Sequence, residues 1–319
     1  MEQPQSQPNT NVNTVVDTSP ADVPIPADWA KLGLTSGYHP RDLEDARLYV
    51  TGLAGEGKST FLRSIPDAWV LDFEGGANGI PGARAQYFDL ATAAKNLGKT
   101  IYDVYQMIMD KLLADGKVGK RPCRRVIIDT EDAWVEMMGE NLLAEKSAKG
   151  VKVYEDIGEL GKKGHGHSLL QGRCKNVLVA LENAGYTWAV AGHLTRLTET
   201  NPVTGAESTV IRPVLSKGYV GPVVRKAELH ITINSMTRKE KLDKTVNGRV
   251  FKNMEEKEVT RYTLYSRPTE AKAMEGKRRG VPNLPARMEV PMINGWDVLK
   301  EAYEIAVEES KNSNGETNE

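Results

Sequence analysis

Apolar residues along this 319-residue chain fall into short solid runs, separated by longer segments with helical spacing. Arg47–Thr51 (RLYVT), Ala68–Phe73 (AWVLDF), Arg125–Asp129 (RVIID) and Thr187–Ala191 (TWAVA) have the form of strands buried on both faces. Gln86–Leu90 is a weaker strand candidate. Lys58–Ile65, Ile101–Leu113, Ala133–Lys146 and Ser168–Asn183 read as helices. In the second of these, Ile101, Val104, Tyr105, Ile108 and Leu112 share one face. This alternation predicts an α/β fold, a mostly parallel central sheet flanked by helices. Right-handed crossovers would gather the strand ends, and with them any site, on one edge.

The pattern changes after His193. Thr195–Glu207 reads as a loop or hairpin turning at NPVTG. Ser208–Arg212 and Glu228–Ile233 read as strands flanking a short helix near Val220–Lys226. Residues 237–257 are charged and irregular, with a candidate turn at Asn247-Gly248. Val259–Ser266 alternates like a strand, and Trp296–Val307 is amphipathic. Residues 1–25, rich in Pro, Gln, Asn and Thr, and residues 309–319 have too little apolar surface to offset ordering entropy, so both are expected to be disordered tails. That leaves one domain over 26–308.

Charge modifies this picture. Lys and Arg number 42 against 43 Asp and Glu, a formal charge of −1. Residues 212–287 nevertheless hold 18 Lys and Arg against 8 Asp and Glu. A polyanion facing this basic third is therefore compatible with the neutral total. No apolar stretch approaches the roughly 18 residues of a membrane helix. The N-terminus lacks a basic and then apolar signal pattern, and two cysteines cannot build a disulfide framework, so a cytoplasmic setting is expected. His165 and His167 offer two metal ligands with nothing nearby to complete a zinc set.

The chemistry starts at residues 52–59, Gly-Leu-Ala-Gly-Glu-Gly-Lys-Ser, which satisfy G-x-x-x-x-G-K-[ST] between a strand and a helix. Gly52, Gly55, Glu56, Gly57, Lys58, Ser59 and Thr60 form a candidate nucleotide loop. Its amides would cradle phosphates, Lys58 would neutralise the β- and γ-phosphates, and Ser59 would ligate Mg²⁺. Asp129, at the end of RVIID, is the second candidate Mg²⁺ ligand. Hydrolysis of ATP also needs a carboxylate to orient water. Thr130 occupies the position directly after Asp129, where many P-loop ATPases have the base, and of the two glutamates Glu74 is favoured over Glu131 because its place at the tip of the LDFE strand puts a carboxylate at the site edge of the sheet. Asp72 is read as structural. His193, at the tip of TWAVAG, is a candidate γ-phosphate sensor. Arg261, Arg267 or Lys272 is an alternative cation reaching a neighbouring subunit's nucleotide, and Tyr262 and Tyr265 could stack on bases or pack.

GLAGEGKST, WVLDFEGG, RRVIIDTEDAW and WAVAGHLTR, in this order, resemble a phage RecA-like P-loop ATPase. More narrowly they resemble the short Sak-type branch of phage recombination ATPases, over roughly residues 45–275. The resemblance implies a catalytic role for Glu74, Mg²⁺ binding by Asp129, and a sensor role for His193, where bacterial RecA has glutamine. It also implies a Mg-dependent ATPase acting on single-stranded DNA through loops near Gly158–His167 and Arg196–Ser208. Assembly into a ring or filament, a single-strand binding protein as partner, and the host cytoplasm as location belong to the same expectation. A helicase or packaging motor and a small-molecule or nucleoside kinase are the alternatives.

Overall fold

The structure is a computed structural model that describes residues 31, 42–76, 79–80, 82–149, 152–162, 164–200, 204–246, 249–266, 277–278, 281–291 and 293–315. The compact unit spans Pro40–Glu319. Residues 1–25 and 316–319, expected as tails, lie outside the described residues, as do 26–30 at the expected domain start.

The strands are β1 (Leu48–Gly52), β2 (Ala68–Asp72), β3 (Gln86–Asp89), β4 (Arg125–Asp129), β5 (Thr187–Thr200), β6 (Glu207–Pro213), β7 (Leu229–Val246), β8 (Arg249–Tyr265), β9 (Lys277–Arg278) and β10 (Arg287–Val290). The helices are α1 (Lys58–Arg63), α2 (Leu90–Leu97), α3 (Ile101–Lys117), α4 (Glu131–Lys149), α5 (His165–Asn183), α6 (Lys217–Lys226) and α7 (Gly295–Gly315). The sheet order is β10-β8-β7-β1-β5-β4-β2-β3, with β6 on β5 and β9 on β7. From β7 through β3 all neighbours are parallel. β8 and β10 extend that sheet antiparallel.

Both faces of the parallel region are covered, which is why its strands are continuous apolar runs. On one face Tyr49, Leu71, Ile128, Trp188 and Val190 pack with Val104, Trp134 and Leu178 from α3, α4 and α5. On the other, Val50, Val70, Ile127, Ala189 and Ala191 pack with Phe61 and Leu62 of α1 and Trp296, Leu299 and Tyr303 of α7. Each large aliphatic side chain buried this way contributes about 1.5–3 kcal/mol. A one-residue slip would swap the two faces of a strand, so these layers fix the register.

Arg125 is one of several charged residues buried here. Its Nη2 donates to the carbonyls of Leu43, Glu44 and Ala46 at 2.9, 3.0 and 2.9 Å. Its guanidinium lies 4.9 Å from the centroid of the Trp296 ring. Burial pushes its pKa down to about 9. The residue staples the segment before β1 to β4 and α7.

Several elements run beyond their expected bounds. β5 continues past Ala191 to Thr200 and pairs with β6 as an antiparallel hairpin. Residues 237–246 and 249–257, expected to be irregular, belong to the long β7–β8 antiparallel ladder, with a register shift between Leu242 and Lys244, and the candidate turn at Asn247-Gly248 lies outside the described residues. Backbone pairing suffices to order a segment without an apolar pattern. Residues 309–315, expected in the C-terminal tail, continue α7. Ser310 is buried, and its hydroxyl donates to the Ala306 carbonyl one turn earlier in the same helix at 2.7 Å. Among the described residues, no helix is long and apolar enough to cross a membrane.

Candidate active site

β1 ends at Gly52 and α1 begins at Lys58, so residues 52–59 form the turn at the carboxyl edge of the sheet. Gly57 caps α1 at φ +88°, a backbone state disfavoured for residues with a Cβ. A Cβ there would also lie 2.4 Å from Cε1 of Tyr262 on β8. Tyr262 therefore packs against the loop. The Glu56 carboxylate accepts a hydrogen bond from the Ser235 amide of β7, so that side chain braces the loop. Thr60 lines a small gap beside Tyr262. Lys58 is buried, at 4% exposure, and its Nζ donates to the carbonyls of Gly52 and Leu53 at 3.1 and 3.0 Å. Burial lowers its pKa, against the opposing pull of Asp129, Asp132, Glu74 and Glu56.

Register brings the other strand tips to the same edge. Gly52 is level with His193, and Asp129 is level with both Asp72 and Ala191. Because β5 lies between β1 and β4, its tip falls between the phosphate loop and Asp129. Asp129 is buried, and burial raises its pKa to about 6 although a hydrogen bond from Ser59 works the other way. Its Oδ1 is buried without a hydrogen-bond partner. An unsatisfied buried carboxylate oxygen beside a serine hydroxyl suits a hard divalent cation, so the residues present fit Mg²⁺.

Glu74 and Glu131 lie in different surroundings. Glu74 has 44% of its side chain exposed, accepts from the Thr130 hydroxyl at 2.7 Å, and lies 3.8 Å from His193 Nδ1. Glu131 is 1% exposed and accepts from the Tyr49 hydroxyl at 2.7 Å. Tyr49 belongs to the core layer on the face away from α1. Asp72 Oδ1 accepts from the amides of Glu74 and Gly75 at 3.1 and 2.8 Å, which shapes the turn that presents Glu74.

The model of the AAA domain family matches residues 44–279. The chain belongs to the AAA domain family. It is a P-loop ATPase, and the AAA domain reaches from just before β1 to β9. No curated protein matches the chain significantly. Within this AAA domain the structure brings Lys58, Ser59, Asp129, Glu74 and His193 together and leaves Glu131 apart.

Sequence reasoning missed Asp132. Its Oδ2 and Oδ1 lie 2.9 and 3.1 Å from His193 Nδ1. That bond is the largest cause of a raised His193 pKa; burial and Lys58 oppose it. Burial acts to raise the pKa of Asp132, but the bond to His193 leaves it lowered. The available signal was an acid three residues after Asp129, which by itself reads as an ordinary first-turn acid of a helix. Glu74, Asp132 and His193 are the one possible metal-ligating cluster among the described residues, their ligand atoms within 4.8 Å of one another.

His165 and His167 are not in that cluster; His167 Nδ1 pairs with the Tyr219 hydroxyl at 2.7 Å. The expected loop at 158–167 is partly ordered, since α5 begins at His165. Arg261 is exposed on β8, whereas Arg267 and Lys272 lie outside the described residues. Tyr265 is buried.

Proposed function

We propose that this AAA-family ATPase couples Mg-dependent ATP hydrolysis to single-stranded DNA, as an enzyme of the short Sak-type, RecA-like phage recombination branch. The observation that supports it best is the continuity of β5. One unbroken strand carries His193 at the nucleotide edge and then Arg196 into the β5–β6 hairpin, whose return strand carries Arg212. A change in contacts at His193 is thereby transmitted along a paired strand to a hairpin that carries Arg196 and Arg212, the latter paired with Glu199. The ten-charge positive excess in the sequence of residues 212–287 is compatible with a polyanionic partner.

In this reading Lys58 leaves the loop carbonyls to meet the β- and γ-phosphates. Ser59 and Asp129 would hold Mg²⁺, which would supply charge neutralisation at the phosphates. Glu74 accepts a hydrogen bond from the attacking water, fixing its oxygen in line with the γ-phosphorus. Attack forms the new P–O bond, breaks the bond to the ADP oxygen and releases a proton to solvent. His193 donates to a γ-phosphate oxygen and reports its loss to β5. Assembly of copies into a ring or filament belongs to the same reading.

The test is the ATPase rate with and without single-stranded DNA over a range of salt. The expected result is DNA stimulation, with binding that weakens as salt rises, at a log–log slope of roughly −0.7 per phosphate contacted. Absence of both would remove DNA from the account and leave a DNA-independent ATPase. Transfer of the phosphoryl group to an acceptor other than water would replace it with a kinase.

A further inference from the structure

We propose that Asp132 is a positioning residue for hydrolysis, gripping Nδ1 of His193 so that the ring stays off Glu74 and offers Nε2 to the nucleotide. This rests on the reading above that His193 faces the γ-phosphate.

The geometry sets three groups against one another. An ionised carboxylate only accepts hydrogen bonds, so the contacts of Asp132 at 2.9 and 3.1 Å put a proton on Nδ1. Glu74 is the next carboxylate from that nitrogen, at 3.8 Å. Without Asp132, the imidazole would be drawn onto Glu74 and would occupy the acid that has to face water. Asp132 therefore serves both residues. It aims the histidine and leaves the glutamate carboxylate available. Thr130, two residues earlier in the same turn, donates to Glu74 at 2.7 Å, so the β4–α4 turn holds both strand-tip groups from behind. Asp132 is itself fixed in the first turn of the 19-residue α4, where the free amides favour a carboxylate.

Three elements bring charge to His193. Asp132 from α4 and Glu74 from the turn after β2 favour the protonated ring, and Lys58 from α1 disfavours it. The balance is a raised pKa, led by the Asp132 bond. Removing Asp132 while leaving Lys58 in place should therefore move the histidine titration to lower pH.

The test uses the full chain with Asp132→Asn, His193→Gln and both together. Nitrogen NMR of the His193 ring is read against pH, alongside the steady-state ATPase pH profile without DNA. In Asp132→Asn the His193 titration and the alkaline limb of kcat should both move down by about one pH unit or more. The kcat value should fall about 10–100-fold while KM for ATP stays nearly constant. Asp132→Glu should recover part of the rate. On a His193→Gln background, Asp132→Asn should add little. An unshifted titration, or rate losses that simply multiply, would overturn the proposal. So would a lower melting temperature with an unchanged pH profile, which would mark Asp132 as structural only. Loss of DNA stimulation with these effects intact would instead count against the DNA reading alone.

Discussion

Replacing Gly57 with alanine perturbs the phosphate loop in two separable ways. The residue sits at φ +88°, where a side chain costs about 1–2 kcal/mol of backbone strain. The new methyl would also lie 2.4 Å from Cε1 and 2.8 Å from Cδ1 of Tyr262, and overpacking of this kind costs about 1–3 kcal/mol. The expected total is about 2–5 kcal/mol. Gly55→Ala is the control, since φ there is +79° with no atom within 4 Å of the added Cβ, so only the backbone cost applies. Tyr262→Ala should relieve the overpacking alone. Denaturant unfolding of both single variants and the double variant should therefore give a favourable coupling of about 1–3 kcal/mol. Affinity for a fluorescent ATP analogue should recover in the same order. Additivity within about 0.5 kcal/mol would refute the contact between Tyr262 and the loop.

Three further outcomes follow from other parts of the molecule. Arg125→Ala removes the Nη2 donor from the Glu44 carbonyl, while the Ala46 amide still serves Leu43 and the Thr187 hydroxyl still serves Ala46, and should destabilise the fold by about 1–3 kcal/mol in denaturant unfolding, with the loop motif intact. Cys123 and Cys174 are buried with pKa values pushed up to about 12, so neither should react with a thiol reagent at pH 8 until the chain unfolds. Asp129→Asn should abolish the Mg²⁺ dependence of nucleotide binding while leaving Mg-free binding measurable by calorimetry.

The parallel core was legible because its strands are buried on both faces. Leu48–Val50, Val70–Leu71 and Val126–Ile128 carry no polar alternation, and the first and last are followed by a turn and helix that the loop motif or an acid announces. α2 was missed because eight residues give little periodicity; its start is set by Asp89, whose side chain accepts from the Thr92 amide. Beyond His193, Glu228–Ile233 and Val259–Ser266 were legible as strands, but their extension through the charged stretch between them was not. β7 and β8 are held by each other's backbone through a charged stretch, and no hydrophobic pattern records that pairing. In the site, Lys58, Ser59, Asp129 and Glu74 stood out as candidates because local motifs carry them, and the structure brings them to one edge. The contacts of Asp132 with His193 and of Gly57 with Tyr262 join residues 61 and 205 positions apart, and nothing local marks them. Glu131 was a rival to Glu74 in sequence, and only the fold shows its carboxylate bound to Tyr49.

Single-turnover hydrolysis by Glu74→Gln and Glu131→Gln, each with ATP binding measured in parallel, tests the central claim most directly. Glu74→Gln should bind Mg·ATP and fail to cleave it, while Glu131→Gln should cleave at close to the unmodified rate. Cleavage by Glu74→Gln, or its loss in Glu131→Gln with ATP still bound, would contradict it.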